Sequence, residues 1–291
     1  MIKLKTFGSF TVGNGLTSVQ EGAWRSEKLE KLFVYLAMNR NRGVCIEDIS
    51  EAIWQVEEET DNPVGALKNL AYRLRKALRD ASFGEECIVS VRGGLYKWND
   101  DVEVTIDVEE FDRYINEAEM AFCRSKETAI ESYEKAIALY HGDFLPLRTD
   151  THWFMTLNAF YHSRYVNTVK ALAKLYIDTG CYEKLEQLCT RAIVYERSDE
   201  QIYSYLIVAR MRTKKVQMAF DTYETAKAIM DNDLGVRKTV MLNKVYEELL
   251  SVTKGASSYN IDEVKDDISE ESMNGVFMCG YPVFKEIYQL E

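Results

Sequence analysis

Seven basic side chains lie between Lys68 and Lys97 (Lys68, Arg73, Arg75, Lys76, Arg79, Arg92, Lys97), against three acidic ones, Asp80, Glu85 and Glu86. Arginine and lysine at this density can bond guanine edges or phosphate oxygens, and Asn69 beside them can pair bidentately with adenine. Just upstream, Glu57-Glu58-Glu59-Thr60-Asp61 is a compact acidic run, so two opposite fields adjoin within a short stretch of chain. Catalytic patterns are missing: there is no phosphate-binding G-x-x-x-x-G-K-[ST] loop, no G-x-G-x-x-G, no H-E-x-x-H and no G-x-S-x-G. The three histidines, His141, His152 and His162, are spaced by 11 and 10 residues, which places them on no common helix face. They are expected to make hydrogen bonds, with no metal and no cofactor, and the chain reads as a non-enzyme.

The basic residues need an element to present them. Leu67, Leu70, Ala71, Leu74 and Leu78 recur at helical spacing, Asp61-Asn62 can cap the start, and Pro63 suits the first helical position, so a helix is expected over 62–80. Its other face then carries Lys68, Asn69, Tyr72, Arg73 and Lys76, with Arg75 and Arg79 at the edges. Ile88 to Trp98 reads as two short strands around Gly93-Gly94, with Arg92 and Lys97 as cations on the hairpin. Upstream, Ile2 to about Gln20 alternates weakly between glycines and predicts short antiparallel strands. Leu29, Leu32, Phe33, Leu36 and Ala37 predict one helix, and about Ile46 to Trp54 another. Strands, three helices with a cationic third, then a basic hairpin make a winged helix-turn-helix over 1–101. In that fold the third helix enters a major groove and the hairpin lies on flanking backbone.

Composition sets the wider frame. The chain has 291 residues, 46% apolar and 12% aromatic, enough for about two buried cores, and only three prolines to interrupt helices. No apolar run approaches a membrane span, and the opening residues lack a signal-peptide pattern, so a cytoplasmic protein is expected. The six scattered cysteines suggest reduced thiols. Net charge is -11, but residues 1–100 balance at 14 basic and 14 acidic side chains; the acidity belongs to the remainder.

Within a second domain taken as 102–253, the segment from Val104 to about Val252 has helical spacing almost throughout. Leu185 and Ala192 recur as Ala219 and Ala226 at an offset of 34, the tetratricopeptide period, while Ala129 and Ala136 precede the first of these pairs by 56. An insertion of 22 containing His141 to Pro146 and Trp153 accounts for the difference. The overall expectation is therefore a mainly α chain: an N-terminal winged helix followed by an all-α tetratricopeptide-like domain. Residues 254–272 read as a flexible acidic linker. Residues 273–291 read as a strand and the start of a helix, either an edge docking onto the repeats or the opening of a further domain.

The segments Lys3 to Phe10, Trp24-Arg25-Ser26-Glu27-Lys28, Ala66 to Leu78 and Arg92-Gly93-Gly94-Leu95-Tyr96 resemble, in that order, the winged helix of bacterial response regulators. More closely, they resemble the one heading SARP-type transcriptional activators. The turn Tyr140-His141-Gly142-Asp143-Phe144-Leu145-Pro146 followed by Trp153, the opening Ile106 to Phe111, and Leu234-Gly235-Val236 resemble the bacterial transcriptional activator domain that follows it. The tail is similar to the start of a degenerate diguanylate-cyclase-like domain.

The resemblance implies a DNA-binding activator that contacts double-stranded DNA through Lys68, Asn69, Tyr72, Arg73, Arg75, Lys76, Arg92 and Lys97. It further implies that Glu57, Glu58 and Glu59 face RNA polymerase. A homodimer on DNA is expected, with the repeats serving self-association, ligand sensing or partner contact. The alternatives are a protein-interaction adaptor indifferent to DNA, or the input half of a larger cyclic-dinucleotide signalling protein.

Overall fold

The computed structural model describes residues 1–55, 62–83, 87–91, 94–148, 150–233 and 239–256. Strands β1 (Ile2–Lys5), β2 (Thr11–Gly13) and β3 (Ser18–Gln20) form the expected antiparallel meander. Their alternation buries Ile2, Leu4 and Val12. Helices α1 (Glu27–Met38), α2 (Ile46–Ile53) and α3 (Pro63–Asp80) follow, then the hairpin β4 (Ile88–Val91) and β5 (Leu95–Trp98). Asn62 closes the start of α3: its Oδ1 accepts from the Gly65 amide at 2.9 Å, and Pro63 occupies the first turn, where no amide donor is missed.

One strand departs from the helical spacing that begins at Val104: Val104–Ile106 is β6, and it pairs parallel with β1, giving the sheet order β3-β2-β1-β6. A three-residue strand is too short to show a period of two against the helical pattern that follows. Its effect is to close the N-terminal sheet with chain from beyond residue 101.

From Asp107 the chain forms antiparallel helical hairpins: α4 (Asp107–Ala121) with α5 (Lys126–Leu139), α6 (His152–Thr179) with α7 (Tyr182–Tyr195), and α8 (Glu200–Arg212) with α9 (Val216–Asp233). The repeated small residues lie in the second helix of each hairpin, where Ala129, Ala136, Ala192, Ala219 and Ala226 are buried and let the helices approach closely. The insertion proves to be the loop after α5 together with the extra turns of α6, which has 28 residues against 15 in α4 and 13 in α8. Both the winged helix and the hairpins belong to one compact unit, Met1–Leu242. A second unit begins at Asn243; its described residues, to 256, are the remainder of α10 (Val240–Ala256). The expectations for 254–272 and 273–291 fall almost entirely outside the described residues.

Inside the insertion, His162 stands between two carboxylates, its Nδ1 2.8 Å from Asp143 Oδ1 and its Nε2 3.1 Å from Glu196 Oε2. The Asp143 bond, supported by Glu196 and opposed by partial burial, lifts the imidazole pKa to about 9. A histidine pKa raised on folding stabilises fully below the unfolded value near 6.5 and loses that contribution as pH rises through about 9. Urea unfolding of the wild type should therefore weaken between pH 6.5 and 9, and His162→Gln should flatten that slope.

Candidate nucleic-acid interface

Helix α3 is amphipathic in the way its sequence predicts. Leu67, Leu70, Ala71, Leu74 and Leu78 are buried, while Lys68, Asn69, Tyr72, Arg73 and Lys76 are exposed on the opposite face. Asp80, at the last position, is the helix's one acid, so the face before it carries no negative side chain of its own. Arg75 differs from the others. It is half-buried, and its Nε donates to the carbonyl of Ile88 at 3.1 Å, which ties α3 to the first strand of the wing.

The wing is a regular hairpin, Ile88 opposite Trp98 and Val91 opposite Leu95. Gly94 has φ +81°, a left-handed conformation that a side chain would strain. Val44, just ahead of α2, adds a bridge to Tyr96 through paired backbone bonds of 2.8 and 2.9 Å, so the wing is fastened at both flanks. Lys97 lies on β5 with Nζ 2.5 Å from Asp100 Oδ2 and presents its charge already paired. Arg92, Gly93 and the acidic residues Glu57, Glu58 and Glu59 lie outside the described residues.

What holds this face in place is not marked in the sequence. Helix α1 was expected to bury a single stripe, yet every residue from Leu29 to Ala37 is buried, including Glu30 and Lys31, each 2% exposed. It packs on α2, α3 and β5, and its side chains Glu30, Lys31 and Tyr35 reach Arg148 in the 3-10 turn Pro146–Arg148 and Phe154 and Trp153 at the start of α6. There the Arg148 guanidinium bonds Glu30, which also accepts from the Gly22 amide at 2.8 Å, and Lys31 bonds Asp150. Asp150 accepts in turn from Gln55 Nε2 at 2.8 Å, and Thr151 Oγ1 donates to the Ala52 carbonyl at the end of α2.

On the sheet side, Asp107 at the head of α4 accepts from the Thr6 amide at 2.7 Å, the Thr6 hydroxyl at 2.6 Å and the Phe7 amide at 3.0 Å. Burial pushes its carboxyl pKa up, against the pull of these donors. Beside it the Gly8 backbone crosses that of His141 and Gly142 so closely that a Cβ on Gly8 would stand 2.6 Å from the His141 carbonyl oxygen. The only signals in the sequence were two charges inside an apolar helix and glycines on either side of the crossing. Neither distinguishes a buried contact from a solvated turn.

A cationic, capped helix beside a pinned two-stranded wing, mounted on three helical hairpins, defines a winged-helix protein of the regulatory type. No group of three or more potential metal ligands occurs among the described residues, and no described helix is long and apolar enough to cross a membrane. Residues 106–250 match the Bacterial transcriptional activator domain. The transcriptional regulator RedD of Streptomyces coelicolor is 23% identical over 238 residues, a match covering 81% of this chain and 67% of RedD. Mycobacterium tuberculosis EmbR, solved in complex with a low-affinity phosphopeptide, superposes with a TM-score of 0.66 at 19% identity. That superposition spans 94% of this chain and 72% of EmbR, and it shows a shared fold. The chain belongs to the SARP-type bacterial transcriptional activators, with the activator domain of tetratricopeptide-like hairpins behind a winged helix.

Proposed function

We propose that this activator binds double-stranded DNA sequence-specifically, with residues 1–101 as the DNA-binding part and 102–253 as the part that controls self-association, ligand sensing or partner contact. The observation that carries the reading is the outward face of α3, where Lys68, Asn69, Tyr72, Arg73 and Lys76 are exposed together with no acid before Asp80. A helix so presented fits the major groove, and the wing fits the adjacent backbone. Within this reading Arg75 sets the angle between α3 and the wing, Arg92 and Lys97 grip phosphate, Lys97 by exchanging its exposed partner Asp100 for the phosphate, and Glu57, Glu58 and Glu59 face RNA polymerase. Two protomers occupy tandem half-sites.

The test is a salt titration of binding to the DNA upstream of the protein's own operon, with a scrambled duplex as control. Tight binding to one sequence that weakens steeply with salt is expected. Absence of binding to either duplex at low salt would reassign the winged helix to protein contacts. Arg73→Ala should cost about 1–3 kcal/mol of specific affinity if the guanidinium bonds a base edge. A uniform loss on all sequences with a shallower salt slope would make it a phosphate contact instead.

A further inference from the structure

Two of the four exposed large apolar side chains among the described residues of 1–101 sit on the outward face of α3: Tyr72, 63% exposed, and Val64, 44% exposed. Scattered exposed apolar residues are ordinary, but these two have a definite setting. Val64, Lys68, Tyr72 and Lys76 follow one another at intervals of four, so they form a single row on which apolar and cationic groups alternate. A helix that only gripped phosphates would have no use for apolar groups between its cations. The major groove offers one apolar feature on its base edges, the 5-methyl group of thymine. Val64 and Tyr72 are separated by about 12 Å along the helix axis, roughly three to four base steps.

We propose that Tyr72 is a specificity-determining residue whose ring packs on a thymine 5-methyl group, with Val64 a second apolar contact one stretch of groove away. The proposal rests on the reading of α3 as a major-groove helix. Its substrate class is thereby narrowed to sites bearing thymine between the bases or phosphates taken by Lys68 and Lys76. The tyrosine hydroxyl is not required for the contact; the ring is.

The experiment uses the full chain and duplexes enriched from a random library by the wild-type protein. Each thymine of the enriched site is replaced singly by deoxyuridine, which removes the methyl group and leaves the hydrogen-bonding edge intact. For the wild type, one thymine should show about a fourfold loss of affinity, the effect of one buried methyl group. Tyr72→Ala should bind the thymine duplex more weakly and be indifferent to deoxyuridine at that same position, while Tyr72→Phe should keep the wild-type sensitivity. Because the side chain is exposed, thermal unfolding of both variants should match the wild type, which separates a lost contact from a lost fold. Enrichment of a sequence with every deoxyuridine substitution neutral would overturn the proposal while leaving the major-groove reading standing. So would deoxyuridine sensitivity that persists in Tyr72→Ala, or that vanishes in Tyr72→Phe. Failure to enrich any sequence would overturn both.

Discussion

Arg148→Ala should destabilise the folded chain by about 3–5 kcal/mol, the cost of breaking a buried ion pair from one side. Glu30 is 2% exposed and Arg148 7%, so removal of the guanidinium strands a carboxylate where water does not reach, with the Gly22 amide as its remaining close donor. The same cluster includes Glu21, 3.3 Å from the guanidinium, whose partial exposure lets it rehydrate at little cost. Urea unfolding followed by tryptophan fluorescence would measure the loss. Trp24 and Trp98 report on the winged helix, and Trp153, whose ring lies 4.9 Å from that of Tyr35, reports on its junction with the hairpins. Replacing both partners, Glu30→Leu with Arg148→Met, should recover much of the stability, because two apolar side chains of similar volume bury no uncompensated charge. If the single variant proved as stable as the wild type, the pair would be solvated and the junction looser than the geometry indicates.

Asp107→Ala is expected to cost about 3 kcal/mol or more, for a different reason. Its carboxylate is the acceptor for two backbone amides and one hydroxyl at the corner where β1 ends, and it also accepts from its neighbour Val108 at the start of α4. Removing it leaves buried donors without partners, each worth about 1–3 kcal/mol before any relaxation. Asp107→Asn should fall between, since one amide oxygen survives while an NH2 group replaces an acceptor. Amide hydrogen exchange at Thr6 and Phe7 gives the local readout: faster exchange is expected in Asp107→Ala ahead of global unfolding. Unchanged exchange would mean that these amides are held by something other than the carboxylate.

Both variants strike the seam between the winged helix and the hairpins, and that seam explains which parts of the molecule its sequence made legible. Helix α3 could be read almost residue by residue, because its stripe of leucines, its cap at Asn62 and its proline are local signals that tertiary packing had no cause to override. The wing followed from its turn glycines and β-forming residues, and the hairpins from a 34-residue offset among small side chains. The seam left no comparable trace. Glu30 and Lys31 look like any charged pair on a helix, and their burial depends on Arg148 and Asp150, more than a hundred residues away. Arg75 reads as a cation at the edge of the outward face, yet its side chain finds the Ile88 carbonyl, a partner set by the angle between α3 and β4. Lys97 likewise reads as a free charge until the turn after β5 brings Asp100 to it.

By itself, then, the sequence determined the winged helix, the exposed cationic and aromatic row of α3, and the repeat that builds the hairpins, since each rests on periodicity and capping within one or two turns of chain. Tertiary structure alone decided that β6 completes the N-terminal sheet, that α1 is buried on all sides from Leu29 to Ala37 and that the winged helix and hairpins form one compact unit. Those outcomes depend on long-range pairing and on buried charges whose desolvation is tolerated only when the partner is brought to them by the fold.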